Sequence, residues 1–577
     1  MSSLFAILWF FMAEINIFSL GGLQEDGKNL YVVEINKRIF ILDAGLKYPT
    51  TELYGVDMII NDISYLLQNK DRIVGIFLTH AHDDHIGGVY NILKEIRVPI
   101  YASKFTMAVL LDRLKEEEFD ISQNKFITVH SKSLLHFKEL EVRFFDVAHN
   151  IPDCLGIAIK TENGYVIYTG NYNFDQNSKI NYAHMYRELA IFAKEGVLAL
   201  LTESLGAAND QSRGTILEFN LRIRNILSQC ENRVIITLFS SDILRIQQII
   251  DIAISEKKKI AILGRKTQRL VNQAMQLGYL KCPNEYLANL KFIDEKTTNN
   301  DKNLVVLVTG ERHEPYFMLQ RMAKHIDRLI HIESTDTIVI LTNPYLGTEK
   351  MAARTLDVIY RVTTNVKEFK PDLLPLSSAN REEIKQMINI LLPKYILPVV
   401  GEYRHQYALR IVANCVGYSD DKVIILDNGD IASFLDGEYR GITGEAPIGE
   451  VLLDGKAFKD VGDVVMRDRE LLASDGLLML CANINPRTKT LVAGPEIITK
   501  GFVYTNVDGD LYKDIIDVFK KVSIQFLVNK FINWSEYKNA LKNEISHFIS
   551  KKTKRNPIVI PVLISTDIEA TKKSSSK

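Results

Sequence analysis

Residues 80–85 read His-Ala-His-Asp-Asp-His, with an apolar run over 73–79 before them and Ile86-Gly87-Gly88 behind. Three imidazoles and two carboxylates in six positions make a metal-ligating set. Residues two apart on an extended strand end face the same way, so His80 and His82 can grip one cation together. A turn into a helix then swings Asp84 and His85 toward a second position. Neutral imidazole and carboxylate suit Zn²⁺ or Mn²⁺, and a cation with open positions lowers the pKa of water enough to make it the nucleophile of a hydrolase. The bland alternative is a polar turn that happens to hold histidines, and the strand-to-turn context weighs against it.

His149 offers a third imidazole for the first cation, because it follows a strand containing Phe144-Phe145 much as His80 follows its own. The next strand ends at Thr169-Gly170, where a dinuclear site needs a carboxylate to bridge two ions, and the chain supplies Asn171. A neutral amide bridges poorly, so a second ion is expected to be held less firmly than the first. Asp175 lies nearby and is expected to face solvent or a backbone donor. Another strand, 38–42, runs into Asp43, a carboxylate expected to orient a metal ligand.

These residues need a large scaffold to position them. The chain has 577 residues with 46% hydrophobic content, enough for about three folded units. Lys+Arg 70 against Asp+Glu 71 excludes a generally basic surface, so any RNA contact must use a local channel. Cys154, Cys230, Cys282, Cys415 and Cys481 form no Cys-x-x-Cys pair, which fits a reducing cytoplasm and neither disulfides nor a thiolate zinc site. The apolar stretch 4–12 is too short for a membrane anchor, and Met12 is the expected physiological start.

Short β runs alternate with helices over 13–205, giving a layered α/β unit. Strands at 234–238, 260–263, 304–308 and 337–341 alternate with helices in a doubly wound pattern, so 206–360 is expected to be an inserted domain. The first unit resumes over 361–445, with a helix at 382–392 and a strand at 395–400 that adds to the first sheet. A Gly-rich linker near 437–449 leads to a smaller α/β domain, 446–565. In that domain Tyr537, Leu541, Ile545, Phe548 and Ile549 share a helix face, expected to be core or subunit contact. Its last strand, 558–562, contains Pro561 and so belongs at a sheet edge. The polar stretch 296–301 is expected to be a loop and the tail 571–577 disordered.

The chain resembles the ribonuclease J family, RNases of the metallo-β-lactamase fold that carry a β-CASP insert. The similarity runs in order through Gly21-Gly22 with Gly27-Lys28-Asn29, His80 to Gly88, His149-Asn150-Ile151-Pro152-Asp153, and Thr169-Gly170 with Phe174-Asp175-Gln176. It continues at Gly264-Arg265-Lys266, Thr309-Gly310 with Glu314-Pro315, Gly401-Glu402-Tyr403-Arg404, Ala493-Gly494-Pro495-Glu496 and Gly501-Phe502-Val503-Tyr504. The resemblance implies an αββα metallo-β-lactamase sandwich, an inserted β-CASP domain and a small C-terminal α/β domain. It also implies 5′→3′ exonuclease and some endonuclease activity on RNA, two zinc ions, a homodimer or hetero-oligomer with a paralogue, and roles in rRNA maturation and mRNA decay.

Carried over residue by residue, the resemblance makes His80, His82 and His149 ligands of the first metal and Asp84 and His85 ligands of the second, with Asp84 also orienting or deprotonating the water. Glu203 matches the acidic residue at the start of the insert. The departures fall at the chemistry. Asn171 replaces the bridging aspartate, and Val400 stands where the family has a histidine ligand. The His-Ala-Ser-Gly-His loop that holds the substrate phosphate is read here as Leu374-Pro375-Leu376-Ser377-Ser378. The turn that cradles the RNA end is retained only in part, as Ser240-Ser241-Asp242, leaving Ser241, Ser377 and Ser378 as expected substrate contacts. Activity is therefore expected to be reduced, as in the family's weakly active second paralogue. The rival expectation is a non-catalytic RNA-binding and assembly subunit that serves an active paralogue.

Overall fold

A computed structural model describes residues 14–49, 55–174, 182–209, 214–263, 265–288, 301–345, 347–375, 378–454, 457–460, 463–502, 509–529 and 531–566. Met12, Gly264, Asp175, Gln176, Ser377, Val503, Tyr504, the stretch 296–300 and the tail 571–577 lie outside the described residues. The chain divides into two compact units, one ending at Val451 and the other running from Leu452 with residues 52–57.

In the first unit, two sheets lie against each other. The eight-stranded sheet runs Glu438–Glu445, Asp430–Leu435, Glu14–Gly21, Leu30–Ile35, Arg38–Leu42, Ile73–Phe77, Ile100–Ala102, Phe126–Thr128. The six-stranded sheet runs Tyr395–Val399, Val197–Glu203, Gly164–Tyr168, Leu155–Thr161, Leu140–Asp146, Leu134–Phe137. Strand alternation sends side chains two ways. Tyr31, Val33, Phe40 and Leu42 pack between the sheets against Phe144, Ile157, Val166 and Leu397. Val32, Ile39 and Ile41 face outward onto Leu66, Ile92 and Leu110 of the covering helices. Phe145 and Ile167 do the same on the other side, against Leu189 and Phe192 of the helix Tyr182–Glu195. With both faces buried, the strand Leu30–Ile35 is buried at every position, which is why it shows no polar alternation and its one charged residue, Glu34, is bonded to Tyr65 and Arg72.

Two expectations are corrected here. The strand Tyr395–Val399 joins the second sheet, pairing in parallel with Val197–Glu203, because the helix Arg381–Leu391 returns the chain to that side. The supposed linker near 437–449 contains the strand Glu438–Glu445, paired antiparallel with Asp430–Leu435. Gly441, Gly444 and the mostly exposed side chains of this edge strand hide the usual alternation, and two register shifts in the pairing break what remains.

The segment between the two passes of the sandwich builds its own parallel sheet, in the order Lys259–Leu263, Leu304–Gly310, Val234–Phe239, Thr337–Ile340, Val366–Glu368. The helices Ile216–Gln229, Ile243–Ser255, Glu314–Ala323 and Glu349–Tyr360 accompany it. This is the doubly wound pattern read from the alternation of strands and helices, and it closes at Glu368, past residue 360.

The second unit has a three-stranded sheet with Leu477–Asn485 central, Thr490–Lys500 antiparallel on one side and Ile558–Ser565 parallel on the other. Pro561 therefore sits on an edge strand, where its missing N–H costs no ladder bond. Tyr537, Leu541, Ile545 and Ile549 of the helix Trp534–Thr553 are fully buried in this unit's core, with Phe548 packed at its margin. Among the described residues no helix is long and apolar enough to cross a membrane.

Candidate metal centre

His80 and His149 occupy equivalent places, each three residues beyond the last residue of a strand, Ile73–Phe77 in one sheet and Leu140–Asp146 in the other. The sandwich thus brings two strand ends together. His82 precedes the short helix Asp83–Ile86 in extended conformation and turns its ring into the same space. His80 Nε2 lies 3.0 Å from His82 Nδ1, and His149 Nε2 lies 3.2 Å from the same atom. The ligand atoms of these three side chains all fall within 4.8 Å of one another.

Protonation favours a cation there. Thr79 Oγ1 gives its only proton to Asp43 Oδ2 at 2.8 Å, so toward His80 Nδ1, 2.9 Å away, it can only accept. The proton of His80 is thereby fixed on Nδ1 and the Nε2 lone pair points into the cluster. Burial and the neighbouring imidazoles of His85, His82 and His149 push the His80 pKa well below its ordinary value, so the ring stays neutral. His82 Nδ1 faces the Nε2 atoms of both His80 and His149, so three ring nitrogens converge on a space where one metal ion would satisfy them. The residues fit a divalent cation.

Asp84 and His85 form a second set beside the first. Asp84 Oδ2 stands 3.1 Å from His85 Nε2, and the His85 ring centroid is 4.1 Å from that of His80. Burial opposes charge on His85, but the carboxylates of Asp84 and Asp43 outweigh it and push its pKa up to about 10. Asp84 is held well below the usual carboxylate range, since His85 and its hydrogen bond outweigh the effect of burial. Asp83 turns away from the histidines and binds Tyr48 Oη at 2.5 Å and Arg113. The two adjacent carboxylates of the motif therefore have different partners.

Asp43 ties both sets together. Its Oδ2 accepts from Thr79 Oγ1 at 2.8 Å, His85 Nδ1 at 2.7 Å and Tyr168 Oη at 2.8 Å, while Oδ1 accepts from the Thr79 backbone N–H at 2.8 Å. It adopts positive φ, +60°, which Asp tolerates better than most residues.

Asn171, Glu203, Val400 and Ser241 lie outside the two ligand sets. The Asn171 side chain donates to Glu203 Oε2 at 2.7 Å, and Glu203 also accepts from the backbone of Tyr172 and Ala379 at 2.8 and 2.9 Å. Burial raises the Glu203 pKa to about 7 although these donors, Asn171 and Ser378 included, pull it down. Val400 is buried at φ +50°, an unusual conformation for a β-branched residue. Its N–H donates to Tyr31 Oη at 2.8 Å and its carbonyl accepts from Ser204 N at 3.3 Å and Oγ at 3.2 Å. Ser241 lies in the turn that ends at Asp242, whose carboxylate is paired with Arg245 Nε at 2.7 Å. Asp242 also lines a cavity of about 240 Å³ with His149, Asn150, Asn220 and Arg224.

Sequence reasoning quoted Asn29 only as part of a matching motif and gave it no role. Its buried side-chain amide donates to Asp84 O at 3.1 Å and Asp84 Oδ2 at 3.2 Å, and lies 3.3 Å from His85 Nε2. Tyr31 Oη donates to Asn29 Oδ1 at 2.9 Å and fixes which way the amide faces. Tyr168 was passed over as a strand aromatic, although a tyrosine in an apolar strand needs a partner for its hydroxyl. Gly45 admits this packing, because a Cβ there would fall 1.6 Å from the Asp84 carbonyl oxygen.

Comparison with known proteins agrees with this architecture. Residues 23–169 match the family model of the metallo-beta-lactamase superfamily, 231–359 that of the ribonuclease J beta-CASP domain and 464–566 that of the ribonuclease J C-terminal domain. Ribonuclease J2 of Bacillus subtilis (strain 168) is 36% identical over 550 residues, covering 95% of this chain and 98% of that protein. Ribonuclease J 2 of Staphylococcus aureus (strain NCTC 8325 / PS 47) is 33% identical over 552 residues, with the same coverage of both chains. The crystal structure of a protein of unknown function from Enterococcus faecalis V583 shares the fold at a TM-score of 0.51 and 12% identity, over 73% of this chain and 100% of that one. With a metallo-β-lactamase sandwich interrupted by a β-CASP domain, followed by the matching C-terminal domain, and with relatives this similar over almost its full length, the chain belongs to the ribonuclease J family.

Proposed function

We propose that this protein is a metal-dependent ribonuclease that hydrolyses RNA phosphodiesters 5′→3′, with some endonuclease action, in cytoplasmic rRNA maturation and mRNA decay, at reduced activity. The observation that carries the proposal is the convergence of His80 Nε2, His82 Nδ1 and His149 Nε2 with a neutral His80. A divalent cation, Zn²⁺ or Mn²⁺, supplies Lewis acidity and lowers the pKa of water at such a site. His80, His82 and His149 hold it. Asp84, kept ionised beside His85, orients the attacking water and takes its proton. Asn29 donates to Asp84, and Ser241 and Ser377 contact the substrate phosphate, whereas the Ser378 hydroxyl is bonded to Glu203.

Reduced activity follows from what the second set lacks. Asp84 and His85 remain, but the Asn171 amide is committed to Glu203, and Val400 brings no ligand atom. Losing one oriented catalytic group typically costs about 10²–10³ in rate. One cation is thus held firmly and a second weakly. The domain borders that accompany this reading are 13–205, 206–360, 361–445 and 446–565, and the assembly is a homodimer or a hetero-oligomer with a ribonuclease J paralogue, within or outside an RNA-degradation complex.

Val400 and Ser378 also favour a second reading, a non-catalytic RNA-binding subunit that keeps one metal and assists an active paralogue. Purified protein incubated with 5′-monophosphorylated RNA and Mn²⁺ or Zn²⁺ separates the two. Cleavage by the wild type that disappears in both His82→Ala and His85→Ala supports the enzyme. No cleavage alone, with stimulation of an active paralogue, supports the subunit.

A further inference from the structure

The parallel strands of the inserted sheet end in three turns that reach the metal centre's surroundings. Beyond Val234–Phe239 comes Asp242, whose charge acts on His82 and which lines the cavity beside His149. Beyond Leu304–Gly310 comes Arg312, whose guanidinium lies 4.7 Å over the ring of Tyr48, the residue bonded to Asp83. Beyond Thr337–Ile340 comes Tyr345. Its ring packs on Phe239 with centroids 4.8 Å apart, and the residue is 48% exposed.

Burial of its hydroxyl, and after it the field of Asp84, Asp26, Asp242 and Asp83, raises the pKa of Tyr345. About half of the residue is nonetheless exposed, an aromatic surface within electrostatic reach of the second ligand set. Tyr48, by contrast, already has Arg312 over its ring. Of the parts of a polynucleotide, the planar, uncharged base is the one that an aromatic ring face receives by stacking. Phe239 behind the ring lowers the entropic cost of holding it in one orientation.

We propose that Tyr345, backed by Phe239, is a stacking platform for one base of a single-stranded RNA as it enters the metal centre. The proposal rests on the RNA substrate argued above and adds a contact for a base, whereas the serines contact phosphate. Stacking reads no base edge, so the platform tolerates any base.

The test uses the full-length, zinc-loaded protein and a fluorescein-labelled, 5′-monophosphorylated uridine decamer with phosphorothioate links that resist cleavage, with binding read by anisotropy. Tyr345→Ala is expected to weaken binding about tenfold and Tyr345→Phe to leave it within about twofold, because the stacked face is the same. An abasic nucleotide is then walked through the first four positions. At one of them the wild type is expected to bind as weakly as Tyr345→Ala, with no further loss in the variant. Equal binding by wild type and Tyr345→Ala overturns the platform and leaves the RNA reading standing, as does a Tyr345→Ala penalty that persists at every abasic position. A wild type that binds none of these RNAs overturns the RNA reading and the platform with it.

Discussion

Val400 combines a left-handed backbone with a side chain that brings no ligand atom. A β-branched residue in the left-handed region costs about 1–3 kcal/mol, and here the Tyr31 hydroxyl and Ser204 hold it in place. Histidine enters this region several-fold more readily than most residues, so Val400→His needs no new backbone. Asn171→Asp alone would set a carboxylate against Glu203, and a second cation would relieve that repulsion. The double variant is accordingly expected to raise bound zinc from about one to about two equivalents by elemental analysis after dialysis and to increase RNA cleavage about 10-fold or more. One equivalent in both proteins would show that these two positions are not what limits the second site.

Glu203 ends the strand Val197–Glu203, and its buried carboxylate joins that strand to the chain on both sides through Tyr172 and Ala379. Its pKa rises from 4.5 to about 7 on folding, so the folded protein binds this proton more tightly than the unfolded chain. The sign follows from linkage. Stability is greatest below about pH 4.5 for this group, falls as pH rises toward 7, and is level above, a change of about 3 kcal/mol. Urea unfolding of metal-free protein between pH 4.5 and 8 is expected to show that decline, and Glu203→Gln to flatten it. The elements that carry this chemistry were largely legible in the sequence, since strands buried on both faces leave long apolar runs and the strand-end histidines follow them at a fixed distance. The edge strand Glu438–Glu445 was not, because exposed residues and two glycines erase alternation. Which sheet received Tyr395–Val399 was equally hidden, as pairing partners leave no local mark. At the site, the histidines and Asp84 could be read from spacing, whereas Asn29, Tyr31 and Tyr168 act through hydrogen bonds between distant segments.

The sandwich and the second unit have cores with different memberships. The sandwich core holds Tyr31, Phe144 and Leu397, while the second unit has its own, with Leu478, Phe519, Tyr537 and Leu541. Leu541→Ala removes a fully buried side chain from the latter and is expected to cost about 2–5 kcal/mol there. Calorimetry should then show a lowered transition for that unit, with zinc content unchanged. A fall in zinc content would mean that the two cores are coupled.

A different kind of dependence links the two ligand sets, because Thr79, His85 and Tyr168 all bond to the same oxygen of Asp43. Losing His85 would leave that oxygen short of a donor in a dry interior and loosen the threonine that fixes the His80 tautomer. Selection for the three-histidine set would then preserve His85 whether or not a second ion ever binds. The full motif thus has a structural reason to stay whole that lies in one carboxylate.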